Sequence, residues 1–320
     1  MKFYFAPLEG ITGYLYRNAY HDFFDCGIDK YFTPFLAVSQ NGLTKARELA
    51  DVSPEHNPQI SVVPQLLGNK RGEVSAYFYR LQEMGYQEVN LNLGCPYQTV
   101  VSKKKGAGLL SDLKLLREFL DDVFADCPVA VSVKTRIGME RTEEFEEILA
   151  VYNQYPLSEL IVHPRVRADF YDHHPNLEAF DFAFKESRAP VCYNGDIFTP
   201  EDYKRLVTRF PGLDRIMLGR GLLSNPGLLS ELLTGEPVKK EELKRFHDRL
   251  LEDYRKIMSG DRNTLFKMKE LWNYMQLMFE DSGKYVKKIR KAQSLADYEN
   301  AVELLFARCP FQTGKGRGEQ

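Results

Sequence analysis

Several common frameworks are absent from this 320-residue sequence. Its five cysteines are scattered and none belongs to a Cys-x-x-Cys pair, so neither a disulfide framework nor a zinc site is indicated. No apolar run approaches the roughly 20 residues of a membrane span, and the chain begins without the apolar core of a signal peptide. We therefore expect a protein of the reducing cytoplasm, without a metal site and without a membrane partner.

What the sequence does contain is an alternation of β-rich runs with helical patterns. Strands are predicted at residues 2–6, 30–35, 60–67, 88–93, 129–135, 159–163, 191–194 and 215–218. Helices are predicted at residues 13–24, 72–84, 111–125, 142–155, 177–187 and 199–210. This alternation favours an α/β fold, a (β/α)8 TIM barrel. An open doubly wound sheet is the alternative, but no Gly-x-Gly-x-x-Gly follows the first strand.

The strand patterns stop at Gly235-Glu236-Pro237. Residues 1–236 are therefore predicted to form the barrel, and residues 237–310 a small C-terminal helical bundle with three amphipathic helices. Residues 311–320 are rich in glycine and predicted to be a disordered tail.

The two parts of the chain differ in charge. Residues 1–238 carry 25 Lys and Arg against 32 Asp and Glu, whereas residues 239–320 carry 18 against 13. A basic C-terminal part indicates a polyanionic partner, although a solvated helical surface accounts for the charges equally well.

The stretch from residue 89 to 98 is the most informative one. Asn92 and Cys95 are placed at the carboxyl end of the fourth strand, the edge of a parallel barrel at which chemistry takes place. A lone cysteine more often packs as a small hydrophobe. Residues 103–108, however, are predicted to form a flexible basic loop that core packing does not need, and this favours a functional interpretation.

Other predicted strand ends also carry residues suited to binding. They are Pro7 and Leu8, Gln65, Lys134 and Arg136, His163 and Arg165, Asn194, Gly195 and Asp196, and Gly219 and Arg220. Loops after the seventh and eighth strands of such barrels commonly bind phosphate, which predicts a phosphate-bearing cofactor. Lys134 and His163 could be surface residues, but a buried lysine without a partner is costly, so an electron-rich or anionic ligand is favoured.

Taken together, the sequence resembles the bacterial tRNA-dihydrouridine synthases over nearly its whole length. The shared motifs are Ala-Pro-Leu-Glu-Gly (6–10), Gln-Leu-Leu-Gly (65–68), Asn-Leu-Asn-Leu-Gly-Cys-Pro (90–96), Lys-Gly-Ala-Gly (105–108), Val-Lys-Thr-Arg (133–136), His-Pro-Arg (163–165), Asn-Gly-Asp (194–196) and Leu-Gly-Arg-Gly (218–221). Each motif is weak alone, whereas their order and spacing are specific. Pro34 and Pro164 stand where the family more often has other residues.

The resemblance implies an FMN-binding barrel, followed by a tRNA-binding helical domain, that reduces uridine in tRNA to 5,6-dihydrouridine. NADPH would recharge the FMN. A monomer bound to its tRNA is the default expectation, although the sequence does not settle the oligomeric state. Pro7, Leu8, Gln65, Lys134 and His163 would line the flavin ring, and Asn194, Gly195, Asp196, Gly219 and Arg220 would hold its phosphate. Asn92, Lys105, Arg136, Arg165, Lys287, Lys288 and Arg290 would bind the substrate.

In this scheme Cys95 would be the general acid, giving a proton to carbon 5 of uracil while carbon 6 receives the hydride. A thiol with the ordinary pKa of about 8.5 is mostly protonated at neutral pH and can donate. Cys95 should therefore not lie in a strongly electropositive pocket, and the lysines at residues 103–105 could lower its pKa.

Two alternatives stay open. The first is an FMN-dependent dehydrogenase or reductase acting on a free pyrimidine, against which the basic helical appendage argues. The second is a non-catalytic tRNA-binding protein.

Overall fold

A computed structural model describes residues 1–39, 42, 45–125 and 127–312. The strands are β1 (Lys2–Phe5), β2 (Ile28–Phe32), β3 (Leu36–Ala37), β4 (Val62–Val63), β5 (Gln65–Leu67), β6 (Glu88–Leu93), β7 (Ala130–Arg136), β8 (Glu159–His163), β9 (Val191–Tyr193) and β10 (Arg215–Leu218). The α-helices are α1 (Tyr14–Phe24), α2 (Ala46–Val52), α3 (Arg71–Glu83), α4 (Gln98–Val101), α5 (Leu113–Ala125), α6 (Glu144–Tyr152), α7 (Leu177–Glu186), α8 (Pro200–Arg209), α9 (Arg220–Ser224), α10 (Leu228–Thr234), α11 (Lys240–Ile257), α12 (Asp261–Met275), α13 (Gly283–Lys291) and α14 (Leu295–Arg308). Short 3₁₀ helices lie at Pro54–His56, Gly106–Ser111 and Gln276–Met278.

The strand order closes the sheet into an eight-stranded barrel. The order is β3-β5-β6-β7-β8-β9-β10-β1-β2-β4, and neighbouring strands run parallel. β2 and β3 are separated only by residues 33–35, and β4 and β5 only by Pro64, so each pair is one interrupted strand. Because β2 pairs with β4 and β3 pairs with β5, the two ends of the order meet. The predicted (β/α)8 TIM barrel is confirmed.

Pro34 interrupts the second strand of the barrel, between β2 and β3, and Pro64 interrupts the third, between β4 and β5. Since proline has no N–H, Pro34 and Pro64 cannot donate to a strand ladder. Thr33 compensates at this point: its N–H donates to the Val63 oxygen at 3.1 Å, and its hydroxyl accepts from the Gln65 N–H at 3.0 Å. A side chain thus replaces a backbone acceptor, and the barrel closes despite the break.

The interior of the barrel combines an apolar cluster with a buried ion-pair network. The apolar cluster consists of Tyr4, Ala6, Phe32, Val63, Ile161, Cys192 and Met217. At the amino-terminal end of the strands, Glu159 is 1% exposed and its Oε1 accepts from Tyr4 Oη and Arg215 Nη1, both at 2.7 Å. Lys30 Nζ lies 3.7 Å from the other carboxylate oxygen, so charges of both signs are paired here.

The C-terminal helices pack around aromatic residues. Phe246 of α11 meets Tyr16 and Phe24 of α1 edge to face, with ring centroids 5.5 and 5.1 Å apart. A buried Tyr298 hydroxyl accepts from Trp272 Nε1 at 2.8 Å and lies 2.7 Å from His247 Nε2. These contacts indicate a core that is held by polar as well as apolar contacts.

One C-terminal helix does not appear in the sequence-based prediction of three. The basic residues that precede Ser294 form α13, in which Tyr285, Val286 and Ile289 are buried. The apolar pattern in this segment extends over few residues and is interrupted by many lysines, so it does not stand out as a helix in the sequence. Ser294 caps α14, because its hydroxyl accepts from the Asp297 N–H at 3.1 Å.

Backbone contacts divide the chain into two compact units. One comprises Met1–Glu9, Ile28–Gly195 and Phe210–Met217, and the other Gly10–Gly27, Asp196–Arg209 and the described residues from Leu218 onward. The second unit thus includes α1 and α8 as well as the C-terminal helices. The division at residues 236 and 237 stays a prediction.

The predicted tail begins with two ordered residues. Phe311 pairs with Phe279, and the Gln312 N–H donates to the Met278 oxygen at 2.9 Å. Residues 313–320 of this predicted tail lie outside the described residues. Among the described helices, none combines the length and the apolar character needed to cross a membrane.

The buried Glu159 carboxylate yields a stability prediction. Replacing it by glutamine (Glu159→Gln) removes the negative charge beside Arg215 and Lys30, so we expect the free energy of unfolding in urea to fall by about 3 kcal/mol. Glu147→Gln on the exposed face of α6 is the matched control and should change it by less than about 0.5 kcal/mol. Equal stability of the two variants would contradict the buried ion-pair network.

Candidate active site at the carboxyl ends of the strands

Asn92 organises the turn that carries Cys95. Its side-chain oxygen Oδ1 accepts from the N–H of Gly94 at 3.1 Å and from that of Cys95 at 2.9 Å. Arg136 Nε donates to the Gly94 oxygen at 3.1 Å and so holds the turn from the neighbouring strand. The turn is therefore fixed by side chains from β6 and β7.

The segment after this turn packs directly against Cys95. Gly106 has φ +56°, and a Cβ there would lie 2.9 Å from Cys95 Cβ, so only glycine fits. The Ala107 N–H donates to the Cys95 oxygen at 3.1 Å, and Gly106–Leu110 are buried. The prediction of a flexible loop that packing does not need is wrong here, because its small residues complete the wall behind the cysteine.

The environment of the Cys95 thiol keeps it protonated. Burial raises its pKa above the ordinary value, and this outweighs the opposing effects of the Tyr97 amide, Arg136 and Lys134. The cations that oppose burial are thus on β7, rather than in the basic run at residues 103–105. A thiol in this state is a proton donor rather than a nucleophile.

Lys134 is directly opposite Asn92 in the register of β6 and β7. Within the described residues its ammonium has no hydrogen-bond or ion-pair partner. Burial and the nearby Arg136 lower its pKa to about 8. An unpaired, half-buried ammonium beside a protonated thiol is suited to an electron-rich or anionic ligand.

His163 lies at the end of the next strand, opposite Arg136 in register. Arg165 Nη1 lies 2.9 Å from His163 Nε2, and since a guanidinium can only donate, Nε2 is the acceptor. Arg165 and Arg136 are each 1% exposed, and Arg136 also donates to the oxygens of Val166 and Phe170 at 2.8 and 2.6 Å. Both arginines shape the loop after β8, so any contact of theirs with a substrate would be confined to a small part of the guanidinium.

Gln65 is fully buried and bonded at both ends of its amide. Its Oε1 accepts from Asn92 Nδ2 and its Nε2 donates to Asn90 Oδ1, each at 2.7 Å. Its role as a direct ligand of a flavin stays a prediction.

The remaining predicted cofactor residues of the first unit are at strand ends as expected. Pro7 and Leu8 follow β1, half-buried, and Leu8 packs on the apolar cluster of the barrel. Asn194 Nδ2 donates to the Met217 oxygen at 2.9 Å. At Gly195 a Cβ would lie 2.0 Å from the Tyr193 hydroxyl, so any larger residue would have to displace the Tyr193 side chain.

The second unit contains the rest of the predicted phosphate site. Arg220 opens α9, forms an ion pair with Asp196 and lies over the Phe198 ring, 5.7 Å from its centroid. Gly219 precedes the helix and its oxygen accepts from the Leu222 N–H at 3.0 Å. Asp196 thus orients the Arg220 guanidinium.

The predicted tRNA-binding residues have different surroundings. Lys105 Nζ donates to the Val38 oxygen at 3.0 Å and is partly buried. Lys287, Lys288 and Arg290 are exposed on α13, opposite its buried apolar face. Of these four predicted residues, the three on α13 are therefore the accessible ones.

Asn90, Ser132 and Tyr171 are functional candidates that the sequence did not single out. Asn90 and Ser132 lie beneath Asn92 and Lys134 and are fully buried, while the Tyr171 ring faces His163 and Arg136. Alternating polar residues on two neighbouring strands were the available signal for the first two. No group of three or more His, Cys, Asp or Glu in the described part of the chain could hold a metal ion.

Solved structures of two other proteins have a similar fold. A variant of NCR from Zymomonas mobilis is 14% identical with a TM-score of 0.50, covering 77% of this chain and 90% of that one. Morphinone reductase, solved in complex with tetrahydroNAD, is 12% identical with a TM-score of 0.50, covering 74% and 88%. At these identities the similarity establishes the fold class alone.

The family follows from the sequence match. Residues 4–309 match the model of the dihydrouridine synthase family, and the chain belongs to this family, in its bacterial type. A probable tRNA-dihydrouridine synthase of Staphylococcus aureus (strain Mu50) is 27% identical over 304 residues, 92% of this chain and 86% of that protein. The tRNA-dihydrouridine synthase B of Pseudomonas aeruginosa is 31% identical over 193 residues, 59% and 58% of the two chains.

Lys134 supplies the prediction of this subsection. Because burial and Arg136 lower its pKa to about 8, we expect its reaction with acetic anhydride to rise with a midpoint near pH 8. Mass spectrometry of the Lys134 peptide after brief labelling measures this, with the exposed Lys114 in the same digest as reference. A profile for Lys134 that coincides with that of Lys114 would show that its ammonium is ordinarily solvated.

Proposed function

We propose that this protein reduces uridine in tRNA to 5,6-dihydrouridine, using FMN as the hydride donor and NADPH as the reductant. The observation that carries the proposal is that one edge of the barrel holds both the half-buried Cys95 thiol, whose pKa is raised by burial, and the Lys134 ammonium, which has no partner within the described residues. Membership of the dihydrouridine synthase family and the names of its relatives support the reaction.

The residues present fit an FMN. Lys134 lacks a partner within the described residues and would face the electron-rich edge of the flavin ring. The other residues proposed to line that ring are Pro7, Leu8, Gln65 and His163. Asn194, Gly195, Asp196, Gly219 and Arg220 are proposed to hold the phosphate, for which the Arg220 guanidinium supplies a charge-assisted donor. When bound, FMN would supply the hydride for carbon 6 of uracil.

The chain itself would supply the proton for carbon 5. The Cys95 thiol holds a proton at neutral pH because burial raises its pKa. Donation leaves a thiolate, which the adjacent Arg136 and Lys134 stabilise, since both lower the pKa of this group. The same two cations therefore lower the barrier without removing the proton in the resting state.

Hydrogen-bond geometry restricts how Asn92 could recognise uracil. Both lone-pair directions of Oδ1 are occupied by the N–H groups of Gly94 and Cys95, and one Nδ2 hydrogen points to Gln65. One Nδ2 hydrogen is left. Asn92 would thus bind uracil as a donor to a carbonyl oxygen, and would not accept from the ring N–H.

The uridine must leave the folded tRNA to reach this site. Extrusion of a base costs a few kcal/mol, which contacts to the RNA backbone have to offset. Lys287, Lys288 and Arg290 on the exposed face of α13 are proposed to provide them, together with Lys105. We expect a cytoplasmic monomer that binds one tRNA.

Removing the thiol tests the proton donor. In Cys95→Ala we expect the yellow flavin spectrum to persist while turnover with unmodified tRNA falls by about 10²–10⁴-fold, because a general acid is lost. Turnover is measured as NADPH-dependent dihydrouridine formation. Cys26→Ala, at an exposed cysteine, is the matched control and should turn over normally.

Two results would go against the proposal. Normal turnover of Cys95→Ala would remove the thiol from the mechanism. Reoxidation of the reduced flavin by free uracil, and not by unmodified tRNA, would favour a reductase of free pyrimidines.

The basic face of α13 yields a salt-dependence prediction. In Lys287→Ala/Lys288→Ala, two phosphate contacts are lost, so we expect the slope of log affinity for tRNA against log salt to become about 1.5 shallower. Filter binding over a salt series measures it. Lys114→Ala, on the exposed face of α5, should leave the slope unchanged, and equal slopes in the two variants would exclude α13 from the interface.

A further inference from the structure

A line of hydrogen bonds runs along the barrel interior from the amino-terminal ends of the strands to the cysteine turn. We propose that this line, which we call the amide relay, fixes the orientation of Asn92 and so positions Cys95. Its members are Glu88, Ser132, Asn90, Gln65 and Asn92, and it begins at the ion pair between Lys30 Nζ and Glu88 Oε2, 2.7 Å apart. Asn90, Ser132 and Gln65 are 0% exposed, so water does not compete with them.

Each link of the amide relay has a forced direction. The Ser132 hydroxyl donates to Glu88 Oε1 at 2.7 Å, since an ionised carboxylate only accepts. The Ser132 oxygen then accepts from Asn90 Nδ2, at 3.0 Å. An inverted Asn90 amide would instead place its oxygen beside Ser132 and its NH₂ group beside the donor Nε2 of Gln65.

The same donor-to-acceptor direction holds for the links nearest Cys95, those of Gln65 and Asn92. With Asn90 Oδ1 facing it, Gln65 must present Nε2 at this end and Oε1 at the other, at 2.7 Å from Asn92 Nδ2. Asn92 must then turn Oδ1 toward the N–H groups of Gly94 and Cys95. The carboxylate at one end of the amide relay and the two N–H donors at the other thus require the same orientation of every amide between them.

A second contact of the Ser132 hydroxyl predicts that substitutions at Ser132 and at Glu88 differ in the size of their effect on the turn. The Ser132 hydroxyl also lies 3.4 Å from the Val89 oxygen, a weaker acceptor that could keep it a donor without Glu88. Removing the hydroxyl should therefore loosen the turn more than removing the Glu88 charge. Ser132 and Glu88 are positioning residues, because neither touches the thiol.

Amide hydrogen exchange at Gly94 and Cys95 tests the amide relay directly, on the full-length protein as purified. In Ser132→Ala we expect exchange at these two amides to become about tenfold faster relative to Ile161 on β8, which reports wider opening. Glu88→Gln, at a partly exposed position, should give a smaller acceleration in the same direction. Alkylation of Cys95 by iodoacetamide should rise in the same order, while that of the exposed Cys26 stays constant.

Ser224→Ala is the matched control. Ser224 is 5% exposed in α9, and within the described residues its hydroxyl has no hydrogen-bond partner. Its loss should leave exchange at Gly94 and Cys95 unchanged. Wild-type exchange at both amides in Ser132→Ala and Glu88→Gln would overturn the inference, since Arg136 and Ala107 would then suffice to hold the turn.

The catalytic consequence of the amide relay rests on the proposed function. With tRNA as substrate, Ser132→Ala should lower kcat several-fold at an unchanged KM, because the acid is displaced while the binding surface is intact. If the wild-type protein does not reduce tRNA, the proposed function fails and the exchange result still decides on the amide relay.

Discussion

One acceptor atom, Asn92 Oδ1, holds the turn on which the candidate chemistry depends. It receives the N–H groups of Gly94 and Cys95, two donors that a strand ending in Gly-Cys-Pro would otherwise leave without a partner. Gly106 then closes against the cysteine from the other side, at a backbone angle that favours glycine. The position of the sulfur is thus set by backbone hydrogen bonds and by small residues, and large apolar side chains have little part in it.

Two opposing electrostatic effects meet at this sulfur. Burial keeps the thiol protonated, whereas Arg136 and Lys134 favour the thiolate. Weaker burial would lower the pKa of the thiol and favour a nucleophilic thiolate; without the two cations, the thiolate left by proton transfer would be isolated in a poorly solvated site. The balance suits a group that must hold a proton at rest and then release it once per turnover.

The sequence predicts the barrel well because its signals are local. Strand and helix periodicities need only neighbouring residues, and the caps at Ser294 and Thr199 can be recognised from three or four of them. The breaks at Pro34 and Pro64 could have been expected, yet their repair by the Thr33 hydroxyl depends on a strand 32 residues away. Arg136 and Arg165 show the same limit: their sequence suggests exposed cations for RNA, and only the fold shows that both are buried.

The polar interior of the barrel follows from what the strand ends require. An apolar layer beneath Asn92 would leave its Nδ2 group without the acceptor that Gln65 now supplies, and the turn N–H groups alone would hold the amide. A chain of satisfied amides anchored on a carboxylate allows one arrangement only, because any single inversion would put two donors or two acceptors face to face. The half-buried Glu88 and the fully buried Ser132 and Asn90 cost desolvation, and in return they hold the Asn92 oxygen toward the cysteine turn before any ligand is bound.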